Sequence, residues 1–254
     1  MKVKIQIVLV VILLQIIVMT NAGCFDSESK PAVLGDYAKH YLQDSKYPKL
    51  LIEIDYVQGN SPSNQAINIL EDKINKHCDK QQILIDKDSF SSSKSTYSDE
   101  DIRELEDEHR DNFNGNEIIV AYILYVNGRY SENEDVLGIA YGPSSIVIFI
   151  EQINGINIPW WATTFIDHTD YEKSVLVHEF GHLLAMVNIG YQSERAHESA
   201  SPYENHCIHE DCVMYHSIET VSIVNLISRD DPIPPYDFYH DCEDDLKKLK
   251  SGDY

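Results

Sequence analysis

At 254 residues the chain has room for one domain or two small ones, and with 43% hydrophobic and 10% aromatic residues it can bury a sizeable core, which argues against a disordered chain. Acidic residues outnumber Lys and Arg by 42 to 20, a formal charge of −22. That balance argues against nucleic acid as a partner and against charge-driven adhesion to an anionic membrane, and no Gly-rich phosphate loop or dinucleotide fingerprint is present.

Residues 1–19 open with Lys2 and Lys4 and then run apolar from Ile5 to Met19, interrupted only by Gln6 and Gln15. A basic start followed by a short apolar stretch reads as a secretory signal, too short for a comfortable membrane span. Ala22-Gly23-Cys24 resembles the end of a lipobox, with Asn21 where an aliphatic residue is expected. The expected arrangement is therefore a signal peptide over 1–23, lipidation at Cys24 and an exported, membrane-anchored mature chain. Simple secretion and an uncleaved anchor are the alternatives. Without Cys24, four cysteines remain: Cys78, Cys207, Cys212 and Cys242. An exported compartment permits disulfides, so Cys207–Cys212 is a candidate pair, leaving Cys78–Cys242 to tie an early helix to the C-terminal one. Three connectivities are open, and free buried thiols remain an alternative.

Along the mature chain, Leu34, Tyr37, Ala38, Tyr41 and Leu42 recur at helical spacing before Pro48. Residues 49–57 read as a strand, and Ile67, Leu70, Ile74 and Cys78 form the seam of a helix opened by Ser63 or Asn64. Residues 83–85 form a short strand before a Ser-rich loop at 89–98; 99–111 is an acidic amphipathic helix, read as a solvated face rather than a cation site. Residues 117–126 are a buried strand, and 136–141 and 145–150 are two more around Gly142-Pro143. The order predicts an α/β (α+β) fold with a mixed sheet.

One motif carries chemistry. Thr169 and Glu172 have capping-box spacing, and the helix they open carries His178-Glu179-Phe-Gly-His182 in apolar surroundings. Histidines four apart on a helix stack on one face, within reach of a single Zn2+, and Glu179 is placed to accept a proton from a water at the metal. A catalytic zinc needs a third protein ligand and an open fourth position. His197, Glu198, His206, His209 and His216 lie downstream, together with Met214.

The 178–182 segment resembles the metzincin metallopeptidases, whose extended motif continues with a Gly and a third His. Here Ala185 and Asn188 stand in those places. Ala185 favours a longer helix, with Gly190 as its stop. His206-Cys207-x4-Cys212-x-Met214 is similar to the archaemetzincin element, in which the His is the third ligand and the Met forms the turn beneath the metal. The resemblance therefore implies His206 as third ligand, ahead of His197 and Glu198, and Met214 as the Met-turn residue. The later Cys-x-x-Cys of that group is missing, with Cys242 alone in its place, which argues against a second structural zinc.

What the resemblance implies is one metzincin/zincin-like domain over 24–254. Residues 24–189 supply the sheet and active-site helix, and 190–254 a small irregular subdomain with the third ligand and Met-turn. One of the strands at 138–142 and 145–150 then offers its edge to an extended peptide. The implied activity is that of a zinc metallopeptidase, by family an endopeptidase, monomeric and acting on peptide or protein substrates. The alternative is a non-catalytic exported lipoprotein with a closed structural zinc site, for example His178, His182, His197 and His206.

Overall fold

The apolar runs of the sequence alternate across a mostly parallel sheet. The computed structural model describes residues 31–193 and 196–252; the signal segment and Cys24 lie outside the described residues. The elements run α1 (Ala38–Leu42), β1 (Lys49–Val57), α2 (Asn64–His77), β2 (Gln82–Phe90), β3 (Thr96–Tyr97), α3 (Asp99–His109), β4 (Ile118–Val126) and β5 (Arg129–Tyr130). Then come β6 (Gly138–Ala140), β7 (Ser145–Phe149), α4 (Ile150–Asn154), α5 (His168–Leu183), 3-10 turns at His216–Glu219 and Val221–Leu226, and α6 (His240–Ser251).

Among the described residues the main sheet has the order β2-β1-β4-β7-β6, parallel throughout except for β6, which runs antiparallel to β7 at the edge. Successive side chains of a strand point to opposite faces. In β4, Ile119, Ala121, Ile123 and Tyr125 join the core beneath α2 and α5, whereas Tyr122, Leu124 and Val126 pack with Ile102 of α3 and with Phe90 and Tyr97. Burial on both faces explains why these strands are continuously apolar. No helix among the described residues is long and apolar enough to cross a membrane.

Three local expectations are corrected. The N-terminus of α5 is capped by Asp167, which forms a capping box with Asp170; Thr169 and Glu172 do not form it. Glu172 instead accepts the backbone N–H of Ser63 at 3.0 Å, bracing the start of α2. The Ser-rich stretch is shorter than expected, because β2 continues to Phe90 alongside Val57.

The third correction bears on function. Helix α5 does not extend to Gly190 but ends at Leu183, and Ala185 turns the chain with φ +63°. The N–H of Ala185 donates to the carbonyl of His182, and that of Met186 to the carbonyl of Gly181, each at 3.0 Å. This left-handed exit normally takes Gly. Ala185 holds it because its methyl is buried, so packing outweighs a backbone cost of about 1–2 kcal/mol. Ala185→Gly is therefore expected to stay within about 1 kcal/mol of the parent, relief of strain offsetting the lost methyl. Ala185→Val, β-branched in the left-handed region, is expected to lose about 2 kcal/mol or more. Urea denaturation of both variants checks this; a Val variant as stable as the parent contradicts it.

Candidate metal centre

Helical spacing stacks His178 and His182 as expected: Nε2 of one lies 3.1 Å from Nε2 of the other. Both are buried. The turn from Ala185 to Asn188 sends the chain away from the helix, so Asn188 does not reach the histidines. Its side chain donates to Glu198 at 2.6 Å and accepts the N–H of Ser193 at 2.7 Å. Glu198 in turn accepts the N–H of Asn205 at 2.9 Å. This knot carries the chain back over the helix and delivers His206, whose ring centre lies 5.2 Å from His178 and 5.1 Å from His182.

Backbone carbonyls orient the rings. Val213 accepts from His178 Nδ1 at 2.6 Å and Glu204 from His206 Nδ1 at 2.9 Å, which leaves each Nε2 with a lone pair aimed inward. A fourth donor, unforeseen from the sequence, is Glu219. Its Oε2 lies 3.4 Å from His206 Nε2 and 3.8 Å from His178 Nε2. All four donor atoms lie within 4.8 Å of one another. Ligands at about 2.0–2.1 Å in a tetrahedral zinc shell sit about 3.3–3.4 Å apart. The separations of 3.1, 3.4 and 3.8 Å bracket that value, so the residues fit a zinc ion.

The electrostatics agree. Burial pushes His178 and, more strongly, His182 down from the ordinary imidazole range, so they favour the neutral, metal-ligating form. Burial acts in the same sense on His206, but the neighbouring Glu219 carboxylate outweighs it and raises that group. Glu219 itself is opposed by burial, yet the imidazoles of His178 and His206 hold it below the usual carboxylate range. Glu179 points the other way: burial, then the charge of Glu219, push it well above the usual range. Neither of its carboxylate oxygens has a hydrogen-bond partner of good geometry.

Two glycines allow the close approaches that frame Glu179. A Cβ on Gly138 of β6 would lie 2.9 Å from Glu179 Oε1 and 2.8 Å from Val175 Cγ1; the bare backbone lets the edge strand rest on the acid. A Cβ on Gly181 would collide with Sδ of Met214, which is fully buried beneath the helix. Met214 thus packs directly against the helix that carries His178 and His182. Of the two candidate edge strands, β6 is the edge and β7 is interior.

The cysteine expectations are corrected. All four described cysteines are free, and neither Cys207–Cys212 nor Cys78–Cys242 is bonded. Cys78 is buried at the end of α2. The other three gather with His197, which is therefore not a ligand beside His178. Donor atoms of His197, Cys207 and Cys242 lie within 4.8 Å of one another, and Cys212 Sγ is 3.5 Å from Cys242 Sγ. Cys212 Sγ accepts backbone N–H groups from Met214 at 3.4 Å and Tyr239 at 3.3 Å. Hydrogen bonds from the neighbouring thiols lower its pKa, favouring the thiolate. His197 Nε2 sits 2.7 Å from Asp245 Oδ2, with Nδ1 turned to Cys242. His197, Cys207 and Cys242, with Asp245 behind the imidazole, are donors of the kind that hold a structural zinc.

His209 stacks on Tyr239 and His216 on Tyr203, outside both clusters. Glu219 carries no spacing signal in the sequence and could not have been singled out there.

No protein-family model matches the chain, and no curated protein matches it. Solved structures similar to it include archaemetzincin from Methanopyrus kandleri, at a TM-score of 0.49 and 16% identity, over 80% of this chain and 97% of that one. Archaemetzincin from Archaeoglobus fulgidus complexed with malonate aligns at 0.42 and 15% identity, over 76% and 98%. Likeness at this level says nothing of the chemistry, which rests on the donor geometry.

Gly181→Ala is expected to force Met214 out of its seat, costing about 1–3 kcal/mol as an overpacked core position. Thermal or chemical denaturation reads this directly, and a neutral result would mean that Met214 does not need the bare backbone.

Proposed function

We propose that the protein is a zinc-dependent metallopeptidase, with His178, His182 and His206 as the metal-binding residues and Glu179 as general base. The observation that carries this is three buried imidazole nitrogens converging beside a carboxylate that has no partner of its own. Zinc held by these residues supplies Lewis acidity, polarising a carbonyl and lowering the pKa of water toward neutrality. The remaining work falls to the chain. Glu179 takes the proton of the attacking water and returns it to the leaving nitrogen. The Val213 and Glu204 carbonyls hold two of the imidazoles in the ligating tautomer. The edge strand β6, resting on Glu179 through Gly138, is the natural dock for an extended peptide by strand addition. The substrates are peptides or proteins, and cleavage is internal to the chain.

The same reading takes the protein as an exported monomer, anchored through Cys24 or the segment 1–23. The Cys207, Cys212, Cys242 and His197 cluster is taken as a second, structural zinc site that fastens the C-terminal helix to the loop carrying His206.

A second reading, a non-catalytic lipoprotein with a closed zinc site, draws its support from Glu219, which offers a fourth ligand. Against it stands Glu179: a buried acid without hydrogen bonds costs about 1–3 kcal/mol, and a purely structural site has no use for it.

The test is cleavage of a diverse peptide mixture, read by mass spectrometry, alongside Glu179→Gln. The variant is expected to keep its metal and lose about 10²–10⁴-fold in rate; equal rates would sink the mechanism. Metal analysis is expected to find two zinc ions per chain, falling to one in the Cys207→Ser, Cys242→Ser double variant, with a lowered Tm. A single ion in the parent would remove the second site.

A further inference from the structure

Glu219 enters the centre from an anchored backbone. Its carbonyl accepts the N–H of Leu137 at 2.8 Å, and the N–H of Val221 donates to Asp135 at 2.9 Å. Thr220 forms an antiparallel bridge with Val136. Ile218, just before it, is fully buried. The main chain is thus stitched to the segment leading into the edge strand β6. The side chain is less confined: it is 31% exposed, while that of His178 is wholly buried. It is more exposed than either histidine it faces, the side chain of His206 being 11% exposed.

Its present position closes the centre. With Oε2 3.4 Å from His206 Nε2 and 3.8 Å from His178 Nε2, Glu219 joins the three imidazoles as a fourth donor. A catalytic zinc keeps the fourth position free. The pocket lined by Ala140, Glu179, His182, His206 and Glu219 holds about 140 Å³. That is room for a few waters at about 30 Å³ each and well short of the roughly 300 Å³ at which ligand sites begin. Glu179, already unpaired, also faces the charge of Glu219.

We propose that Glu219 is a displaceable fourth ligand that keeps the metal centre latent, and that the centre becomes competent when this carboxylate swings out to solvent. The inference rests on the zinc metallopeptidase reading. The exchange breaks one metal–carboxylate bond and forms one to an incoming water or anion; no electron moves and no other bond is broken. Glu219 is a gating residue, and no proton of the reaction passes through it.

The test uses the full chain loaded with Co2+, with azide as probe of the fourth position. It compares the parent with Glu219→Ala and Glu219→Gln, and reads the azide-induced difference in the visible spectrum and the metal content. Repeating the titration with the Cys207→Ser, Cys242→Ser variant identifies any share of that difference that comes from the thiol cluster. Metal content is expected to be equal in all three proteins, with azide binding at least about tenfold tighter in both variants than in the parent. Peptide cleavage is expected to rise by a similar factor in Glu219→Gln, which keeps the side chain's size. A parent that takes azide as readily as the variants overturns the latch. Glu219→Gln, which keeps the side chain's size, carries that comparison where Glu219→Ala folds poorly. Azide binding released by the substitutions without any peptide cleavage keeps the latch and removes the peptidase reading. Cleavage by the parent as fast as by the variants does the reverse. A chain that takes up no Co2+ at the three histidines removes both.

Discussion

The peptide bond between His206 and Cys207 is the constraint on which the rest of the site depends. These consecutive residues serve two buried donor clusters, His206 facing His178 and His182, and Cys207 facing His197 and Cys242. Cys207 lies in an isolated β-bridge, where neighbouring side chains point to opposite sides. The segment is pinned on both flanks: Glu198 bridges to Cys207 on one side and Tyr215 on the other, while the Cys207 N–H donates to the Met214 carbonyl at 2.8 Å. The thiol cluster therefore acts as the rear clamp of the third imidazole. It anchors that imidazole to α6 through Cys242 and Asp245, and to the Met turn through Cys212.

The helix carrying His178 and His182 is held with equal economy. Beneath it Met214 fits against Gly181, and on its flank the edge strand fits against Glu179 through Gly138. Both contacts use the absence of a Cβ, at positions where any side chain would move Glu179 or Met214. The left-handed exit at Ala185 finishes the helix as soon as its last histidine is placed. From there the chain turns away, and the knot of Asn188, Glu198 and Asn205 returns it with His206. Asn188, standing where the metzincin motif has its third histidine, is thus a strut for the segment that brings His206 to the helix.

Charge gives the site its two possible states. Neutral imidazoles suit a cation, and Glu219 and Glu179 provide two carboxylates for a space that suits one. One of them, Glu219, has a way out to solvent; the other, Glu179, is enclosed by helix and strand. The roles proposed for the two acids rest on that asymmetry.

The chain order of strands and helices was legible from the sequence, since burial on one or both faces writes itself into the spacing of apolar residues. The strand at 49–57 and the helix opened by Ser63 are read there with their observed limits. His178, Glu179 and His182 were legible for the same reason: four residues along a helix is a fixed distance in space. His206 could be named only through its resemblance to a known element, because no local geometry links it to the helix. Glu219, the partnership of His197 with three thiols, and the turn at Ala185 were beyond reach. Each is decided by contacts between segments far apart in the chain: Leu137 stitched to Glu219, Asp245 aligned with His197, a methyl buried against the first helix. By itself the sequence determined which elements form and which face of the helix carries chemistry, because those are local periodicities. Only the tertiary structure decided whether the cysteines pair or converge on one point, and whether the metal centre stands open or closed. Both depend on where the loops land, and loop landing is set by long-range packing rather than by any repeat in the chain.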